Sequence, residues 1–84
     1  MKEITGIIND FIVEKFSEFG DTRVSSGEFY NVVHLIGRDP VKQHIRIIVT
    51  DEYMYAVNIH ATGLLYYYDS TCFEKLHSII RSFI

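Results

Sequence analysis

The chain predicts an α+β domain: an N-terminal helix, an antiparallel meander of four to five strands and a C-terminal helix, with both helices packed on one sheet face. Three observations lead there. Apolar residues recur at three- and four-residue spacing near both ends, the middle is rich in Val, Ile, Tyr and Thr, and turn residues divide that middle at intervals too short for parallel crossovers. The 84 residues, 48% hydrophobic and 23% charged, fit one ordered domain over 1–84. A chain of this size buries only roughly 60–65% of its unfolded surface, which leaves nothing to divide between two cores.

Ile4, Ile7, Ile8, Phe11, Ile12, Phe16 and Phe19 share one helical face, with Asn9, Asp10, Glu14 and Glu18 opposite, so a helix is expected over about 3–19. Gly20 stands where a left-handed C-terminal cap belongs, before Asp21 and Thr22. Beyond it, Ser25-Ser26-Gly27, Gly37-Arg38-Asp39-Pro40, Asp51-Glu52 and Thr62-Gly63 punctuate strands near 22–25, 28–36, 43–50, 53–60 and 64–68. Asp69 to Glu74 then offers several caps, Thr71 and Glu74 having the spacing of a capping box. A second helix follows with Phe73, Leu76, Ile80 and Phe83 as its stripe.

Strand parity sorts the side chains into two faces. Ile45, Ile47 and Val49 belong inside, and matching them with Tyr55, Val57 and Ile59 requires an odd connection of three or five residues. The reverse side then brings Arg46 near Asn58 and His44 near His60. In 28–36 Tyr30, Val32 and Ile36 compete with Phe29, Val33 and Leu35 for the interior; we expect the second set inside, which gives an inward Asn31 need of a partner. Tyr30, Val32, His34 and Ile36 then join Ile48, Met54 and Ala56 outside. A face of that composition calls for a cover: a second copy, another protein, or one helix if the two divide between faces.

Charge narrows the function. Eight Lys and Arg against eleven Asp and Glu give a net charge of −3, without the basic face that phosphate neutralisation needs. The lone Cys72 cannot form an internal disulfide, and neither a secretion leader nor an apolar span stands out, so a cytoplasmic, non-membrane protein is expected.

The leading expectation is a non-enzymatic protein-binding module without a cofactor, acting through a sheet face or edge. Its contact residues would be Tyr30, Val32, Ile36, Arg46, Ile48, Met54 and Tyr67, and its partner another protein, such as an enzyme or nuclease that it inhibits, or a second copy of itself.

The alternative is a small metal- or anion-binding domain, with an enzyme as one form of it. His34, His44 and His60 on neighbouring strands would present three imidazoles to a cation such as zinc, and Arg46 a planar fork to an anion. Cys72 at a helix start lacks a base, His77 lying about 140° round that helix. The element order resembles that of double-stranded RNA-binding domains, which implies RNA binding. Where those domains carry a Lys-rich segment, however, this chain has Asp69-Ser70-Thr71-Cys72-Phe73-Glu74, and its net charge is negative, so nucleic acid is disfavoured.

Overall fold

The computed structural model describes residues 2–38, 44–50, 54–59, 64–69 and 73–82. The order is α1 (Lys2–Phe16), β1 (Gly20–Ser26), β2 (Asn31–Gly37), β3 (His44–Val49), β4 (Met54–Ile59), β5 (Leu64–Asp69) and α2 (Phe73–Ser82). The strands form one antiparallel sheet in the order β1-β2-β3-β4-β5, the meander expected from the short connections. Among the described residues no helix is long and apolar enough to cross a membrane.

Both helices lie on one face. Ile8, Ile12 and Phe16 of α1 and Leu76 and Ile80 of α2 share a single buried cluster with Val33, Leu35, Ile45, Ile47, Val49 and Val57 of the sheet. Each large aliphatic side chain buried there contributes about 1.5–3 kcal/mol relative to exposure. α1 packs on β1 and β2. It meets α2 through stacked rings of Phe11 and Phe73, 5.2 Å apart, and Phe16 lies 5.3 Å from the His77 ring. The Arg81 guanidinium sits 5.5 Å from the Phe16 ring centre, covering its outer side.

β3 and β4 pair as parity requires: Ile45 opposite Ile59, Ile47 opposite Val57 and Val49 opposite Tyr55. That register leaves an odd number of residues in the connection, whose 51–53 lie outside the described residues. In β2, Val33 and Leu35 are fully buried as expected. Asn31 is the third inward residue, and its amide donates to Thr5 Oγ1 of α1 at 3.2 Å, which supplies the partner a buried amide needs.

Two expectations are corrected. Phe29 is not inside but 76% exposed, because the hairpin turns on Glu28 and Phe29, where the Gly27 amide donates to the Tyr30 carbonyl at 2.7 Å. A Cβ on Gly27 would lie 3.0 Å from that carbonyl oxygen. The tight closure at this glycine moves the turn towards β2 and starts that strand at Asn31.

Gly20 is the other. α1 ends at Phe16, the Phe19 amide closes a turn on the Phe16 carbonyl at 3.0 Å, and Gly20 already opens β1 with its φ outside the left-handed region. A Cβ there would meet the Ile36 carbonyl oxygen at 2.0 Å. Close approach of two strands, rather than a helix cap, is what requires glycine at this position.

Candidate functional site on the outer sheet face

The strand registers place Arg23, His34, Arg46 and Asn58 in one row across β1 to β4. On either side run a row of Ser25, Val32, Ile48 and Ala56 and a row of Asp21, Ile36 and His44. None of these belongs to the buried cluster beneath the helices. A groove of about 520 Å³ opens on this side, floored by Val32, His34, Arg46, Ile48 and Asn58 and walled by the β1–β2 turn at Ser26, Gly27 and Tyr30.

Part of the expected contact surface is less open than parity alone implies. Val32 is 8% and Ala56 3% exposed, since residues on central strands are flanked by neighbours from both sides. Ile36, Arg46 and Ile48 are half-buried, and Tyr30 is 45% exposed. The side chains of Met54 and Tyr67, like His60 and Cys72, lie outside the described residues.

The polar groups of the groove are joined in a chain. Ser25 Oγ is 2.8 Å from His34 Nε2, and His34 Nδ1 is 2.8 Å from His44 Nε2. Neutral imidazole has one donor and one acceptor nitrogen, so protons run along this chain in either of two consistent directions. Arg46 donates through Nη2 to Asn58 Oδ1, the contact expected from the register, while its Nε is buried without a partner among the described residues.

Burial lowers the pKa of His34 from its ordinary 6.5, and the charges of Arg23 and Arg46, its register neighbours on either side, lower it further. The unfolded chain therefore takes up a proton near pH 6.5 that the folded chain refuses until lower pH. Stability is full above that value and falls as the pH drops through it. Thermal unfolding at pH 7.5 and 5.5 checks this: the wild-type midpoint should drop more than that of His34→Gln, and an equal drop would remove His34 as a cause.

His34 and His44 lie together on the outer face, as the metal reading expected, but their facing nitrogens are hydrogen-bonded to each other. To share a cation both rings would first have to give up that bond. Among the described residues no group of three potential ligands is placed to hold a metal ion.

Sequence reasoning missed Ser25 and Arg23. The available signal was Gly27: once the hairpin closes there on Tyr30, parity carries Ser25 to the outer face opposite Val32 and Arg23 beside His34. His77, weighed as a base for Cys72, is half-buried against the Phe11 and Phe16 rings. Comparison of the chain with protein-family models, with curated proteins and with solved structures finds no match.

Proposed function

We propose that this chain is a protein-binding module whose outer sheet groove accepts a segment of another protein carrying an Asp or Glu beside an apolar side chain. The supporting observation is the distribution of charge and apolar area about Arg46. Its guanidinium lies in a groove with apolar Val32 and Ile48, and its Nε–H is buried and unbonded among the described residues. A carboxylate entering the groove would pair with the half-buried Arg46 guanidinium that lines it, with a neighbouring apolar side chain on Ile48 and Tyr30.

Charge placement favours an acidic partner. Arg23 and Arg46 outnumber Asp21 on the outer face of a protein whose net charge is −3, while Asp10 and Glu14 lie on α1. If the captured segment belongs to a catalytic cleft, the module is an inhibitor of that enzyme.

Selection from a displayed random-peptide library tests the reading. Enriched peptides should carry Asp or Glu next to an apolar residue, bind at least about tenfold more weakly to Arg46→Ala, as the loss of a charged hydrogen bond predicts, and weaken as salt is raised. Peptides without an acid, or indifference to Arg46→Ala, would overturn it. Sedimentation completes the test: a dimer that Ile48→Asp converts to monomer would make a second copy the occupant instead.

A further inference from the structure

We infer that Ser25 is an activated nucleophile, with His34 as its general base and His44 as the residue that positions the base, and that the groove transfers small apolar acyl groups from carboxylic esters through Ser25. This goes beyond the docking reading: it shares the groove but rests on the hydrogen-bonded chain of Ser25, His34 and His44.

The geometry is that of a three-member relay. A serine hydroxyl is a weak nucleophile until a base within hydrogen-bond reach takes its proton, and the base acts best when its other nitrogen is held in one tautomer. Ser25 Oγ and His34 Nε2 are 2.8 Å apart, and His34 Nδ1 and His44 Nε2 are also 2.8 Å apart. With His34 Nδ1–H donating to His44 Nε2, His34 Nε2 is left as acceptor for the Ser25 hydroxyl. Both rings keep one proton, so the arrangement is complete without a charged form.

The surroundings match the chemistry. Ser25 is exposed on edge strand β1, open to an incoming ester, while His34 is 8% exposed at the floor of the groove. Its lowered pKa keeps His34 unprotonated, and thus able to accept, at neutral pH. Val32, Ile48 and Tyr30 line the same groove as Ser25 and offer apolar surface for a short acyl chain. Arg23 and Arg46, the register neighbours of His34, supply positive charge to an oxyanion forming on this face.

The step balances as ordinary acyl transfer. Ser25 Oγ bonds to the ester carbonyl carbon while its proton passes to His34 Nε2. The tetrahedral intermediate collapses by breaking the bond to the leaving alcohol, which takes the proton from His34, and acyl-Ser25 remains. Water then attacks with His34 again accepting a proton, the carboxylic acid leaves, and the serine regains its hydrogen. The net change is ester plus water to acid plus alcohol.

The test uses the full chain and a fluorophosphonate probe, which phosphonylates activated serine hydroxyls with loss of fluoride, read by intact mass and peptide mapping. One adduct should form, on Ser25 and not on neighbouring Ser26. Its rate should rise with pH through a midpoint below 6.5 and fall at least about 100-fold in His34→Gln, the loss expected on removing a general base. His44→Phe should shift that midpoint, a readout that a merely structural role would leave still. With p-nitrophenyl butyrate, a burst of nitrophenolate should appear in wild type and vanish in Ser25→Ala, whose unchanged unfolding midpoint confirms folding.

No adduct, equal labelling of Ser25 and Ser26, or an undiminished rate in His34→Gln would overturn the inference. A chain that binds acidic peptides yet takes no adduct sinks this inference alone; labelling without peptide binding sinks only the docking reading.

Discussion

Ile47→Asp should leave the chain unfolded, whereas Ile48→Asp, one residue on, should leave it folded. Ile47 is fully buried, with Val33 and Val57 opposite it on the neighbouring strands. Removing such a side chain costs about 2–5 kcal/mol. Burying a carboxylate in its place adds several kcal/mol more. Together these are comparable with the lower part of the roughly 5–15 kcal/mol that holds a domain folded, where a chain this small falls.

Ile48 points the other way, between Val32 and Ala56 in register, and lines the open groove. A carboxylate there stays in contact with water, so its cost should stay within the roughly 0.5–3 kcal/mol of an ordinary single substitution. Circular dichroism and urea titration of both variants decide the matter. Equal unfolding by the two would show that the sheet does not have one covered and one open face.

The second large effect is expected at Gly20. An alanine Cβ there would lie 2.0 Å from the Ile36 carbonyl oxygen and 2.9 Å from Gly37 Cα, both backbone atoms that no rotamer change can move. β1 must draw away from β2 at the start of their ladder, and the loss should be about 3 kcal/mol, the upper end for overpacking. Gly6, in α1, supplies the opposite case. Nothing lies within 4 Å of a Cβ at that position, so Gly6→Ala should stabilise by about 0.5–1 kcal/mol through helix propensity. Urea midpoints that move in the same direction for both would contradict the close approach of the strands.

These sites differ in how far the sequence reveals them. The opposed pairs of β3 and β4 are legible because alternation is a local property: Ile45, Ile47 and Val49 must share a face, and only an odd connection matches them to Tyr55, Val57 and Ile59. Gly20 is not legible in the same way. A glycine after the last apolar residue of a helix carries the same signal whether it caps the helix or admits a neighbouring strand, and the strand that decides lies sixteen residues further on, at Ile36. Phe29 misleads for a related reason, since a large aromatic fits a strand interior and says nothing of the turn that displaces it.

The candidate site divides along the same line. Alternation puts His44, Arg46 and Asn58 on one side of the sheet, His34 joins them only once Val33 and Leu35 are chosen over Val32 and Ile36 for the interior, and the Arg46–Asn58 contact follows from one register. The relay from Ser25 through His34 to His44 needs two registers at once, the turn position at Gly27, and ring orientations set by side-chain packing. Residue order by itself therefore determined the two helices, the meander and the inward aliphatic set of β3, because period and alternation act between near neighbours. Tertiary structure decided which edge β1 offers, where its serine falls and which nitrogen meets which, because those contacts join separate strands whose spacing no single segment encodes.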